Sequence, residues 1–295
     1  VLLALRGFVA VGIVGIGVFF WITSPVKVDP QTYAGLTANP ENGKMVFWAA
    51  GCASCHTEPG SDATDAPSLS GGQAFASDFG TFYAPNISPD PDHGIGGWTV
   101  EEFANAVQKG VSPTGQHYYP AFPYSAYNKM QAQDLVDLKA FFDTLPADQT
   151  ESKAHDVGFP FNIRRNLGGW KFLFVSDEWV LDTAPTPELE RGRYLVEALA
   201  HCGECHTPRN ALGGLETSSW LEGAPVPGGK GRVPAISPGK LNWTAEDIAY
   251  YLETGFTPDF DSVGGHMAAV VENMSRLTES DRKSVAAYLK AIPDE

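Results

Sequence analysis

The stretch "CASCHT", Cys52–Thr57, returns as "CGECHT" at Cys202–Thr207. The two strings hold all 4 cysteines of the chain, and in each a histidine follows the second cysteine. Two thiols at this spacing can each bond one vinyl group of a haem. The histidine that follows is then placed to ligate the iron from one side, which is the attachment pattern of c-type haem. A zinc site would want four ligands, and the two motifs stand 150 residues apart with no other cysteine. A thioredoxin-like motif would want a βαβ context, which is missing. A pair of structural disulfides suits an exported chain but leaves the matched histidines unexplained. The expectation is two covalent haems, on Cys52, Cys55 and His56 and on Cys202, Cys205 and His206. Attachment of this kind takes place outside the bacterial cytoplasm.

Working outward, the whole chain repeats. "NGKMVFWAAGCASCHT" (Asn42–Thr57) matches "RGRYLVEALAHCGECHT" (Arg191–Thr207), and "MQAQDLVDLKAFFDTLP" (Met130–Pro146) matches "LTESDRKSVAAYLKAIP" (Leu277–Pro293). Between them, "NISP…GGWTVEEFANAVQKG" (Asn86–Gly110) matches "AISPGKLNWTAEDIAYYLETG" (Ala235–Gly255). These pairs read as helices. Thr99 with Glu102, Thr244 with Asp247 and Thr278 with Asp281 have the spacing of N-terminal caps. Gly110 and Gly255 stand where a helix ends on a left-handed residue. Leu135, Leu138, Phe142 and Leu145 form an apolar stripe at helical spacing. Each half is predicted to have a helix leading into CxxCH, a loop, a middle helix, a second loop and a final helix.

The first 23 residues are different. "VLLALRGFVAVGIVGIGVFFWIT" carries one charge, Arg6, and is long enough for the roughly 20 apolar residues of a membrane span. Arg6 near its start and Trp21 near its end fit a positive-inside orientation with an interfacial aromatic. No small-x-small cleavage site follows, so an uncleaved anchor is expected rather than a signal peptide. The chain opens on Val1, and its natural start is expected upstream. Net charge is −15, with 35 acidic and 20 basic residues, which excludes a nucleic-acid partner and suits a partner with a basic patch. Residues 147–186 are aromatic and locally basic, with Ile163, Leu167, Trp170 and Phe174 on one helical face. Two readings stay open for that face: a membrane-surface or partner-binding helix, or a segment packed between the halves.

The chain resembles the membrane-anchored multihaem cytochrome c subunits of bacterial periplasmic dehydrogenases, the alcohol dehydrogenase type above all. The resemblance runs from about Gly43 to Pro293. It rests on "NISPDPDHGIGGWTVEEF", "HYYPAFPY", "FPFNIRR", "CGECHTPRN" and "GGHMAAVVENMSRLT". Those subunits commonly carry three haems, whereas this chain has two CxxCH motifs and its anchor at the N-terminus. The resemblance implies an all-α fold with two cytochrome c-like haem domains in tandem behind a transmembrane helix. The expected division is an anchor over 1–24, haem domains over 30–146 and 187–295, and an interdomain segment over 147–186. It also implies electron relay between a periplasmic dehydrogenase and a quinone or another cytochrome, with the haem domains periplasmic and the N-terminus cytoplasmic. The chain is then a non-catalytic electron-transfer subunit. The alternatives are a subunit of a terminal oxidase or respiratory supercomplex, and a dihaem peroxidase or thiosulfate-oxidising enzyme with an open first iron.

Thioether ligation opposite histidine raises a haem potential, and Met267, twelve residues after Gly255, is the expected distal ligand of the second haem. His266 competes with it, and Met274 lies nearer the last helix. Twelve residues after Gly110 stands Phe122, which cannot bind iron. Three possibilities stay open there. His117 is the leading distal candidate, Met130 is the second, and the third is an iron without a protein ligand. Met130 precedes Pro146 as Leu277 precedes Pro293, which favours a core role at a helix start over iron ligation. Arg209 is a candidate for a haem propionate, and Trp98 and Trp243 for the haem edge, with core packing as the alternative for both. His93, His155 and His201 have no role assigned.

Overall fold

A computed structural model describes residues 2–61, 65–226 and 229–293. The first helix, α1 (Leu2–Ile22), meets the rest of the chain at its C-terminal end and is exposed from Leu5 to Trp21. Its 21 residues, at about 1.5 Å each, reach about 32 Å, which matches a hydrocarbon core of about 30 Å. Its window Leu5–Ile22 has mean hydropathy 2.1 and none of it is buried, so the helix is apolar enough to cross a membrane.

The first half contains α2 (Pro40–Ala49), the short α3 (Cys52–His56), α4 (Val100–Lys109), α5 (Tyr124–Tyr127) and α6 (Ala132–Phe142). After α7 (Asn166–Phe174), the second half contains α8 (Pro187–Arg193), α9 (Gly203–His206), α10 (Ala245–Thr254), α11 (Met267–Ser275) and α12 (Glu279–Ala291). A π-helical stretch, Tyr194–Leu199, continues α8 toward the second CxxCH. The fold is not purely helical as expected. Each half carries one small antiparallel ribbon, β1 (Ala74–Ser77) with β2 (Gly80–Tyr83) and β3 (Ala224–Pro225) with β4 (Arg232–Val233). Both lie in the loop after CxxCH, where four-residue and two-residue strands are too short to show an alternating pattern.

The predicted caps form. Thr99 and Glu102, and Thr244 and Asp247, make reciprocal capping boxes on α4 and α10. Gly110 and Gly255 end those helices at φ 58° and 76°, where a side chain would be strained. In each half the first and last helices cross, α2 on α6 and α8 on α12, through a glycine. A Cβ on Gly43 would meet the Asp137 carbonyl oxygen at 2.0 Å, and one on Gly192 would meet that of Ser284 at 2.0 Å. Phe47, Leu135, Leu138 and Phe142 fill the first core, and Leu195, Val196, Leu199 and Tyr288 the second; all lie in one continuous apolar cluster.

The segment between the halves is held on both sides. Asp156 exchanges backbone hydrogen bonds of 2.9 Å with Thr81 of β2, and the Asn86 side chain donates to the carbonyls of Asp148 and Thr150. On α7, Trp170 donates to the Leu212 carbonyl at 2.9 Å, and Phe174 closes on Gly214, both in the second half. Lys171 donates to the carbonyls of Lys109 and Gly110 in the first half, at 2.6 and 2.7 Å. The face carrying Trp170 and Phe174 therefore packs between the halves.

Candidate functional site

Helix α2 delivers the chain to Gly51, whose left-handed backbone turns it into the CxxCH helix α3. Cys52 and Cys55 are free thiols there. Burial pushes Cys52 up to about 12 and Cys55 up to about 11, and the neighbouring Cys205 adds to the second shift. His56 Nδ1 stands 2.9 Å from the Pro85 carbonyl. A carbonyl only accepts, so Nδ1 carries the proton and Nε2 keeps its lone pair. The backbone then closes around the histidine, with Gly71 N–H donating to the His56 carbonyl at 2.7 Å and Ile87 to Leu69 at 2.9 Å.

The second half repeats this bond for bond. His206 Nδ1 is 2.7 Å from the Pro234 carbonyl, Gly223 donates to the His206 carbonyl at 2.7 Å, and Ile236 donates to Leu221 at 2.9 Å. Burial pushes Cys202 up to about 12 and raises Cys205 too. Each site thus has two neutral thiols and an imidazole whose free nitrogen is fixed by an outer hydrogen bond, the usual orientation device for a metal-ligating histidine. Among the described residues no cluster of three or more His, Cys, Asp or Glu gathers to hold a metal by itself. The donor set fits haem c, which would take the thiols at its vinyl groups and the histidine Nε2 at its iron.

The distal loops also keep register. Tyr118 N–H donates to the Gly110 carbonyl at 2.7 Å, as Val263 does to Gly255 at 2.7 Å. Val111 bridges His117 as Phe256 bridges Ser262. By this register Phe122 stands where Met267 opens α11. Phe122 sits among Tyr118, Tyr124 and Tyr127, with ring centroids 5.8 to 6.4 Å away. Met267 is half-buried beside the second core, and His266 is exposed.

His117 is buried, with both ring nitrogens in hydrogen bonds. Its Nε2 is 3.0 Å from the Thr23 carbonyl and its Nδ1 3.1 Å from Lys171 Nζ. The carbonyl takes the Nε2 proton and the ammonium donates to Nδ1, so no ring nitrogen is left for a metal. The expected distal ligand His117 is thus engaged through both ring nitrogens, at the end of α1 and at Lys171. Met130 is buried in the core, and its N–H donates to the Tyr127 carbonyl as that of Leu277 does to Met274.

A family model described as cytochrome c matches residues 40–146. A dihaem cytochrome c-type protein of Cereibacter sphaeroides is 55% identical over 92% of this chain and 92% of its own length. This chain is a c-type cytochrome. Haem c is its covalently bound cofactor, and electron transfer is the work such a protein does. The fructose dehydrogenase cytochrome subunit of Gluconobacter japonicus is 38% identical over 90% of the cytochrome and 55% of that subunit. The cytochrome c subunit of the quinone alcohol dehydrogenase of Gluconobacter oxydans is 34% identical over 86% and 54%. The cytochrome spans about half the length of these two dehydrogenase subunits.

The remaining sequence candidates of the cytochrome fall as follows. Arg209 pairs with the Glu204 carboxylate and donates to the Gly213 carbonyl at 2.8 Å, which folds it over the second attachment turn. Trp98 and Trp243 are half-buried against the core, and Trp243 packs on Tyr251 at 5.1 Å.

Sequence reasoning missed the junction between the two sites. Tyr127 donates to the Ala50 carbonyl at 2.6 Å, and its ring lies 5.5 Å from His201. Tyr194 donates to Asp134 at 2.6 Å and accepts from the Gln131 N–H at 3.0 Å. The two carbonyl anchors were also missed. Their signal was present in the repeated strings "PNISP" and "PAISP", which begin at Pro85 and Pro234.

Proposed function

We propose that this cytochrome is a membrane-anchored dihaem relay. One haem c binds at Cys52, Cys55 and His56, the other at Cys202, Cys205 and His206, in tandem domains over 30–146 and 187–295. The observation that carries this is the paired geometry of His56 on Pro85 and His206 on Pro234, which presents one free imidazole nitrogen per attachment turn. When bound, each haem supplies a one-electron iron couple. The protein sets the two couples by axial ligand, burial and nearby charge. Met267, half-buried at the start of α11, is the residue that would hold the second iron from the distal loop. At the same register in the first half, Phe122 would offer no ligand atom.

Electrons pass from a periplasmic dehydrogenase through the cytochrome to a quinone or another cytochrome of the bacterial inner membrane. Support comes from the dehydrogenase subunits it resembles and from α1. That helix holds the haem domains at the periplasmic face, with its N-terminus cytoplasmic. The net charge of −15 favours a partner with a basic docking face. Purification of the full chain in mild detergent tests the relay. A dehydrogenase should co-purify, and its substrate should reduce both haems. A terminal oxidase core without a dehydrogenase would overturn it.

The open first position favours a second reading, in which small ligands bind that iron. Rapid binding of cyanide or carbon monoxide by one haem, with peroxide turnover, would make the cytochrome an enzyme as well.

A further inference from the structure

Helix α7 is locked to the end of α1. Gly168 lies so close to Thr23 that a Cβ would meet the Thr23 Cα at 2.6 Å. Arg165 donates to the Phe20 carbonyl at 3.0 Å, and its guanidinium lies 4.5 Å from the Phe20 ring. Thr23 is buried, and its carbonyl is taken by His117. These contacts fix the height of α7 relative to α1. It crosses just past the last turn of the spanning helix, at the level where hydrocarbon gives way to headgroups.

One face of α7 packs against the two halves through Trp170, Lys171 and Phe174. The opposite face presents Phe172 and Leu173, which are 66% and 64% exposed. Leu212, whose carbonyl accepts from Trp170 of α7, is 61% exposed, and Phe159 in the approach to α7 is 80% exposed. The charge here is also unlike the rest. Residues 161–174 contain Arg164, Arg165 and Lys171 and no acid, in a chain of net charge −15. A small cleft between Pro25, Gln116, Arg164 and Arg165 opens beside the end of α1.

We propose that α7 and the segment leading into it lie on the outer leaflet of the membrane that α1 crosses. Phe159, Phe172, Leu173 and Leu212 enter the headgroup–acyl boundary, and Arg164 and Arg165 meet lipid phosphates. The occupant is the bilayer because the patch continues the apolar surface of α1 at a fixed height. Large apolar side chains with flanking arginines are what such a boundary accepts. An aqueous partner would leave this surface beside the lipid unexplained. The consequence is orientation: a single spanning helix leaves a domain free to swing, whereas a second contact holds one face of both halves toward the membrane. The proposal rests on α1 as the membrane span.

The test uses the full haem-loaded chain in phosphatidylglycerol-containing vesicles, with a phosphatidylglycerol carrying a diazirine in its acyl chain. After illumination, adducts are mapped by peptide mass spectrometry. Adducts on α1 and on residues 159–174 are expected, and Phe172→Ser with Leu173→Ser should lower those on 159–174 several-fold while leaving α1 unchanged. Adducts on α1 alone would overturn the proposal, leave α1 as the anchor and assign the patch to a partner protein. No adducts on α1 would overturn the anchor and the proposal together.

Discussion

Asn273 on α11 donates its side-chain amide to the Ser54 hydroxyl at 2.7 Å, 219 residues away in sequence. Ser54 lies between the two cysteines of the first attachment turn, and Asn273 lies in the distal helix of the other half. The converse contact exists as well. Ser125 on α5 donates to Glu204 Oε1 at 2.6 Å, and Glu204 lies between the cysteines of the second turn. Each attachment turn is therefore braced by the distal segment of the opposite half, about an approximate internal two-fold. A shift in either distal loop is felt at the other attachment turn.

This bracing predicts a measurable coupling. Asn273→Ala and Ser54→Ala should each destabilise the haem-loaded chain by about 0.5–1.5 kcal/mol, the usual net value of one hydrogen bond. In a double-mutant cycle by chemical denaturation the two changes should not add. Strict additivity would mean that the contact contributes nothing. Because the turn carries the first haem, Asn273→Ala should also move that haem's midpoint potential, read by potentiometric titration.

The glycine crossings give a steric prediction. Gly192→Ala puts a methyl 2.0 Å from the Ser284 carbonyl, within a helix pair that has no room to separate. Overpacking of this kind costs about 1–3 kcal/mol, more than the helix-propensity gain of about 1 kcal/mol from replacing glycine. A lower thermal midpoint is expected, with Gly43→Ala behaving alike in the first half. Gly169→Ala, with no atom closer than 4.0 Å, should be tolerated.

Lys171 gives a pH prediction. Burial pulls its pKa from 10.5 down to about 7, although the carbonyls at the C-terminus of α4, His117 Nδ1 and the Tyr124 face all favour the ammonium. His117 is also held below its usual value, by burial first and then by Lys171 and Arg165. Above pH 7 the unfolded chain binds a proton at Lys171 that the folded chain has released. Stability therefore rises with pH from about 7 toward the unfolded value near 10.5. Lys171→Met should flatten this part of the stability–pH curve. An unchanged slope would show that another group is responsible.

Much of this architecture was legible in the sequence because it is written twice. The caps Thr99 and Thr244, the stops Gly110 and Gly255 and the two CxxCH turns obey local rules, and the repeat let each check the other. The hydrogen bonds of His117 were not legible because its partners, Thr23 and Lys171, lie 94 and 54 residues away. No local pattern announces a histidine that seats a helix end. The junction through Tyr127, Tyr194 and Asn273 was hidden for the same reason: it depends on how two similar halves meet, and periodicity within either half says nothing of that. For α7 the periodicity grouped Trp170 with Phe174 without saying what they faced, and the exposure of Phe172 and Leu173 gained meaning only once α7 was seen seated on the end of α1.

The unequal distal sides make the sharpest prediction. With His117 held by Thr23 and Lys171, and Met130 buried at the register of Leu277, Phe122 holds the register in the first half that Met267 holds in the second. The oxidised cytochrome should therefore bind cyanide at one haem, and show the charge-transfer absorption of methionine-ligated ferric haem for the other alone. Phe122→Met restores the residue that the second half carries at Met267. It should abolish cyanide binding, double the charge-transfer absorption and raise the first haem's potential. Met267→Ala should do the opposite at the second haem, removing the absorption and opening a second site for cyanide. His117→Ala should leave both spectra unchanged while lowering stability, since the Thr23 carbonyl and Lys171 lose their partner. A wild-type protein with two methionine-type absorptions, one of them removed by Met130→Leu, would place Met130 on the first iron instead and refute the open position.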